Sequence, residues 1–155
     1  MSRRDQIRLT DAELAAFLDE QRTVIVATNG RDGWPHLMPL WYTVRADELW
    51  AWTYARSQKV RNLERDPRVT WQVEAGTSYE ALRGVMVKAR VELHHDQDTV
   101  SAFGVELFSR YTGADPLPDA VRAMIEGQAP KRVALQFVAA EPAVSWDHGK
   151  LGGTY

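Results

Sequence analysis

The chain has 155 residues, enough for one domain with a sizeable core. Its net charge of −2, with 26% charged residues, supplies no general pull toward nucleic acid or anionic membrane. With no cysteine, disulfides, zinc–thiolate sites and thiol nucleophiles are excluded.

The first eight residues lack the apolar segment of a secretion signal, and no later run is long enough to span a bilayer. The expectation is a cytoplasmic protein. Six tryptophans are the compositional excess, and rings of that size suit a core, a subunit interface or a flat ligand.

Thr10 and Glu13 have the spacing of a capping box, with Leu9 and Leu14 at the staple positions. A helix is expected from there through Glu20, its apolar face made by Leu14, Phe17 and Leu18. The β-branched run from Thr23 to Thr28 reads as a buried strand, and Asn29 to Gly33 as a hairpin turn. The returning strand, Trp34 to Val44, carries Pro35 and Pro39 at positions of equal parity, so both remove N–H donors from the same side. That side is an edge, a bulge or the lining of a ligand groove.

A charged turn, Arg45 to Glu48, leads into an aromatic strand, Leu49 to Thr53. A helix follows, with Ser57 as N-cap and Pro67 as its stop. Its charges run against the helix dipole: Arg56, Lys59 and Arg61 crowd the start, while Glu64 and Asp66 sit near the end. Either a solvated helix tolerates this, diluted by Arg65 and Arg68, or an anion binds where the free N–H groups, the Ser57 hydroxyl and Lys59 converge.

Residues 68–74 alternate as a half-buried strand, and Val85 to Leu93 form a further long strand ended by His94 and His95. Adjacent histidines point to opposite faces of a strand and chelate one metal poorly, so a surface turn is expected there. Helices are expected over 96–110 and 119–126, and another strand over 133–138. The tail from Asp147 is glycine-rich and either frays or folds over a site or a neighbouring subunit. Six strands joined mostly by short turns favour an antiparallel sheet curled into a small barrel, mainly β with flanking helices.

No phosphate-binding loop, dinucleotide fingerprint, nucleophile elbow or zinc motif is present, and no carboxylate pair stands out for acid–base work. What remains is an anion-type helix start, an aromatic hairpin and a donor-poor proline strand. A flat heteroaromatic ring carrying a phosphate, as in a flavin nucleotide, fits all three.

The block Trp52-Thr53, Ser57-Gln58-Lys59-Val60-Arg61-Asn62-Leu63 and Asp66-Pro67-Arg68-Val69 resembles the flavin-phosphate segment of the pyridoxamine 5′-phosphate oxidase-like family. The family includes flavin- and deazaflavin-dependent oxidoreductases, and Gly33, Pro35 and His36 of the preceding hairpin also match. The resemblance implies a six-stranded antiparallel split β-barrel of the FMN-binding type, in a single domain over 1–155. It also implies a homodimer with cofactor at the subunit interface. By position, Met38, Pro39, Leu40 and Trp41 would run along the ring and ribityl chain, largely through backbone groups. Trp52 and Thr53 would flank the phosphate held by Ser57, Gln58 and Lys59, and Arg83 would reach the ring across the dimer.

The oxidase proper has basic residues where Met38 and Gln58 stand, which argues against vitamin B6 oxidation here. Its C-terminal substrate pattern is replaced by Trp146-Asp147-His148-Gly149-Lys150, so Trp146, His148 and Lys150 become substrate-pocket candidates. The expected activity is hydride transfer between FMN or coenzyme F-420 and a small conjugated or carbonyl substrate, with no catalytic residue nominated. FMN and F-420 are not separated. F-420 has an acidic tail, for which Arg56, Arg61 and Arg83 are candidate partners. The alternatives are a flavin or haem carrier of the same fold, with His94 and His95 as the hint of haem, and, last, a nucleic-acid binder, against which the net charge counts.

Overall fold

In the computed structural model, which describes residues 2–152, the β-branched run forms β1 (Thr23–Asn29), and its Val24 and Val26 are buried. It pairs antiparallel with β2 (Pro35–Arg45) through the expected hairpin and with β4 (Arg68–Ala75) on its other edge. β3 (Glu48–Tyr54) returns against β2, and β6 (Arg132–Ala139) pairs with β3. β5 (Arg83–His94) joins β6 and, through eight residue pairs from Arg68↔Arg90 to Ala75↔Arg83, also joins β4. The six strands therefore close a barrel in the order β4-β1-β2-β3-β6-β5 and back to β4. All pairings are antiparallel, as the short connections predict.

A seventh strand, β7 (Val144–Asp147), adds to the expected six. It pairs with the first residues of β5, on the edge that β6 leaves free, from Arg83↔Asp147 to Met86↔Val144. Pro142 lies between β6 and β7, where its missing N–H cannot continue the ladder. Gly84 makes this docking possible: a Cβ there would stand 2.4 Å from Trp146 Cζ2.

β2 belongs to the barrel only in part. Residues Tyr42 to Arg45 pair with β3, while Pro35 to Trp41 pair with β1 alone. Tyr42 turns its N–H and C=O toward the Tyr111 hydroxyl, at 2.9 and 3.2 Å, and that hydroxyl also donates to the Arg22 carbonyl. By alternation, Pro35, Leu37, Pro39 and Trp41 direct their backbone to the other, open edge. The two prolines thus remove donors from an edge that no strand pairs with among the described residues, which agrees with the edge-strand reading.

Helices plug and flank the barrel. α1 (Arg3–Gln6), a single turn the sequence reading did not expect, is started by a capping box of Ser2 and Asp5. α2 (Asp11–Glu20) has the predicted box: Thr10 N donates to Glu13 Oε2 at 2.7 Å and Glu13 N to Thr10 Oγ1 at 3.3 Å. Its Phe17 joins the barrel core with Val24, Val26, Tyr42, Trp71 and Phe137. α3 (Gln58–Arg65) connects β3 to β4 and buries Val60 and Leu63. α4 (Gln97–Thr112), N-capped by Asp96, and α5 (Asp119–Gln128) pack on the outer side of β3 and β6 around Trp52, Phe103, Leu107 and Ile125. Both run two residues past their expected ends, and α5 passes through Gly127 rather than stopping there. In α4, Gly104 is required by the close approach: a Cβ would lie 2.7 Å from Trp52 Cζ3 and 2.8 Å from Ile125 Cγ2.

Candidate anion and cofactor site

The site forms where β3 ends and α3 begins. Thr53 is the last buried residue of β3 and points into the barrel end, while its neighbours Trp52 and Tyr54 face the other way. The chain turns through Ala55 and Arg56, and Ser57 takes the predicted N-cap position with φ −70° and ψ 157°. Its hydroxyl makes no cap bond; Ser57 Oγ is buried without a partner. An N-cap serine ordinarily satisfies a free helix N–H. Here the hydroxyl and the first N–H groups of α3 are left for something else.

Lys59 is the second residue of α3. It is 8% exposed, and Nζ donates to Thr53 Oγ1 at 3.0 Å. Removal from water holds its pKa below the ordinary lysine value, and the positive charge of Arg132 pushes the same way. No carboxylate among its described bonds offsets this. A buried cation without a counter-ion beside an unpartnered hydroxyl at a helix start is a site fitted for an anion.

Arg132, which the sequence reading missed, opens β6 directly across from Tyr54. Its guanidinium lies 3.7 Å from the Tyr54 ring centroid and 4.9 Å from that of Trp52, and Nη2 donates to Gln128 Oε1 at 2.8 Å. Arg132 Nε is buried and unpartnered. Nothing local in the sequence marks it, because register alone brings it beside the start of α3, 74 positions earlier in the chain.

Polar side chains hold the helix against the hairpin. Gln58 Nε2 donates to Asn62 Oδ1 at 3.0 Å, buried Asn62 donates to Thr28 Oγ1 at 3.0 Å, and Thr28 Oγ1 donates to the His36 carbonyl at 3.5 Å. His36 Nδ1 is buried with no partner and lines an opening of about 400 Å³ together with Trp34, Gln58 and Asn62. At the other helix end the reversed charge is resolved within the chain. Asp66 accepts from Arg68 at 2.7 and 2.9 Å and from Asn29 at 2.9 Å, and these bonds hold its carboxyl well below the usual range. Arg68 thus neutralises Asp66 at the C-terminal end, while no carboxylate pairs with Lys59 at the N-terminal end among the described bonds.

The other predicted site residues fall into two groups. Met38, Pro39, Leu40 and Trp41 follow one another along the part of β2 that has an open edge. The Trp41 ring stacks on Tyr111, at 4.2 Å and 14°, and meets Phe108 edge-on at 6.3 Å; Trp52 meets the same Phe108 at 6.0 Å. Both indoles are thus drawn onto α4, and Trp52, 8% exposed, offers the site its backbone more than its ring.

Arg83 belongs to the second group, at the start of β5. It pairs with Glu20 at 2.5 Å and lies over the Phe17 ring. The tail is docked beside it rather than frayed. His148 N donates to the Leu82 carbonyl at 2.9 Å and its Nδ1 to the Tyr79 carbonyl at 3.1 Å. Lys150 Nζ donates to the Arg8 carbonyl at 2.8 Å and to Glu13 Oε2 at 2.6 Å. Trp146, His148 and Lys150 are therefore engaged within the chain. The final Gly153 to Tyr155 lie outside the described residues.

His94 is not at a free surface turn. Its ring stacks on Trp50 at 4.9 Å and Nε2 bonds Gln136 Oε1 at 2.8 Å, so packing occupies the histidine that hinted at haem. Among the described residues there is no group of three metal-ligating side chains, and no helix is long and apolar enough to cross a membrane.

The comparisons agree with this architecture. The family model described as pyridoxamine 5'-phosphate oxidase matches residues 10–144. Among solved structures, the conserved hypothetical protein Rv2991 from Mycobacterium tuberculosis is 40% identical, with a TM-score of 0.89 over 100% of this chain and 95% of its own. A protein titled F420 reductase is 23% identical, with a TM-score of 0.63 over 83% of this chain and 93% of its own. A protein titled FAD-binding from Mesorhizobium loti is 22% identical, with a TM-score of 0.65 over 90% of this chain and 96% of its own. The last two show the shared fold alone. No curated protein matches. The chain belongs to the pyridoxamine 5'-phosphate oxidase family, as its closed six-stranded barrel and the extent of the match show.

Proposed function

We propose that the protein is a homodimeric oxidoreductase that uses FMN or the deazaflavin coenzyme F-420 to reduce or oxidise a small conjugated or carbonyl compound. The observation that carries this is the anion site: buried Lys59 with its lowered pKa, the unpartnered Ser57 hydroxyl and the start of α3. A phosphate seated there would take hydrogen bonds from all three and, as a counter-ion, push the Lys59 pKa back toward its ordinary value.

When bound, the ring supplies the hydride chemistry and the protein orients it. Lys59, Ser57 and Thr53 would hold the phosphate, and the open edge of β2 from Pro39 to Trp41 would run beside the remainder through backbone groups. Arg132 raises the local positive potential from the other face of β3.

The dimer has support of its own kind. Ile25, Leu37 and Trp41 are exposed on the β1–β2 face, at 38%, 56% and 49%, next to an uncovered strand edge. A contiguous apolar surface with an open edge is what a second subunit would cover.

The test is titration of the apo-protein with FMN and, separately, with F-420, followed by quenching of tryptophan fluorescence, with the mass in solution measured alongside. Saturable binding of one cofactor by a dimer is expected. If neither binds, the reading is wrong. If one binds but no reduced-cofactor oxidation is found across a panel of enones, quinones and nitroaromatics, the protein is a carrier of the same fold.

A further inference from the structure

The opening of about 400 Å³ beside α3 is left unfilled by the phosphate, ring and dimer assignments. Three pieces of chain meet there. The β1–β2 turn supplies Arg31, Asp32 and Trp34, β2 supplies His36, and α3 supplies Gln58 and Asn62. Gln58 stands between Ser57 and Lys59, so the opening adjoins the anion site. It lies on the hairpin side of that site. The strand from Trp41, beside the proposed ring, to His36 at the opening spans roughly 17 Å of extended chain. A mononucleotide whose phosphate sits at α3 does not reach into this space.

Its lining is open to a ligand. Trp34 is 76% exposed, more than any other large apolar side chain among the described residues. Its backbone is fixed by the turn: Trp34 N donates to Asp32 Oδ1 at 3.1 Å, and its carbonyl accepts from Gly30 N at 3.0 Å. An indole held at the root and bare to solvent is a stacking platform for a flat ring. Gln58 spends an amide hydrogen on Asn62 Oδ1 at 3.0 Å, and its exposed Oε1 accepts no described bond. That oxygen is an acceptor for an exocyclic amine.

Charge narrows the ligand further. Arg31 and Asp32 offset one another at the rim, and Trp34, Gln58 and Asn62 are neutral. An oligoanionic tail finds no surplus of cations here. A neutral, flat ring with amine hydrogens finds both a platform and an acceptor.

We propose that this opening is a nucleobase subsite, and that the flavin held at α3 is the dinucleotide FAD, its adenine stacked on Trp34 beside Gln58. The proposal rests on the assignment of a phosphate to Lys59 and Ser57, and it names what lies beyond that phosphate.

The test is isothermal titration of the apo-protein with FMN, FAD and F-420, repeated in Trp34→Ala, Trp34→Phe and Lys59→Met. FAD should bind about fivefold or more tighter than FMN, the lower end of what base–aromatic stacking contributes. Trp34→Ala should remove that advantage and leave FMN affinity unchanged, while Trp34→Phe, which keeps a ring, should retain most of it. The side chain is exposed in a turn, so these variants leave the core intact, as circular dichroism should verify. Equal affinity for FMN and FAD, an equal loss of both in Trp34→Ala, or binding of F-420 alone overturns the nucleobase subsite. Each of those results leaves the phosphate assignment standing, which is read separately by the loss of FMN and FAD affinity alike in Lys59→Met. Absence of binding by all three cofactors overturns both.

Discussion

Lys59 donates through Nζ to Thr53 Oγ1 at 3.0 Å, tying the first turn of α3 back to the last buried residue of β3. The bond satisfies one of three ammonium protons and none of its charge. Lys59→Met should therefore weaken FMN or F-420 binding at least tenfold, because a charge-assisted contact contributes about 1.5–3 kcal/mol. The same variant tests linkage. The folded pKa lies below the unfolded one, so the unfolded state holds more protons between the two values and stability rises with pH across that window. Denaturant melts from neutral pH up to the ordinary lysine range should show a rise in the wild type that Lys59→Met lacks. A bound phosphate should remove the rise as well.

Tyr111, on α4, extends a ladder that β1 and β2 leave off at Thr23 and Trp41. Its hydroxyl accepts from Tyr42 N–H and shares its one proton between the Arg22 carbonyl, just before β1 begins, and the Tyr42 carbonyl. Burial raises its pKa, as expected for a phenol kept from water. Tyr111→Phe leaves a part-buried N–H unsatisfied and should cost about 1–3 kcal/mol in urea unfolding. The stacking partner Trp41 should change its fluorescence in the folded state.

Gly104→Ala sets helix propensity against packing. Alanine in a helix interior gains roughly 0.5–1 kcal/mol over glycine. The new methyl would stand 2.7 Å from Trp52 and 2.8 Å from Ile125, and such overpacking costs about 1–3 kcal/mol. The net expectation is destabilisation, seen as a lower Tm with altered near-ultraviolet dichroism from Trp52. An unchanged or higher Tm would mean that α4 shifts outward freely.

The docked tail depends on charge. Hydrogen bonds from Lys150 first, then from the Thr10 backbone, bring the Glu13 carboxyl down to about 2. A lowered carboxylate pKa contributes stability that is present above the unfolded value and is lost as pH falls toward the folded one. Carboxyl NMR titration should place Glu13 near that low value in the wild type. In Lys150→Ala its midpoint should move up toward the range of ordinary glutamates.

Much of this was legible along the chain because it is local. The Thr10–Glu13 box, the β1 hairpin, the cap position of Ser57 and the stop at Pro67 all span a few residues, where backbone geometry and hydrogen-bond inventory decide the outcome. The prolines of β2 announced an open edge because a missing N–H is a property of the residue itself. Lys59 stood out for a similar reason, as a cation placed against a helix dipole.

Arg132 beside Tyr54, Tyr111 between Tyr42 and Arg22, Trp34 sharing an opening with Gln58 and β7 on the edge of β5 exist only once distant segments are in register. Whether a hydroxyl is a cap or an orphan depends on which atoms the closed barrel brings within 3.5 Å. The sequence by itself determined the element types and the charged helix start, since these follow from spacing and composition over a few residues. Only the tertiary structure decided that Lys59 is buried, that Asp66 is neutralised by Arg68 and that the tail docks on Glu13, because burial and pairing are properties of the assembled barrel.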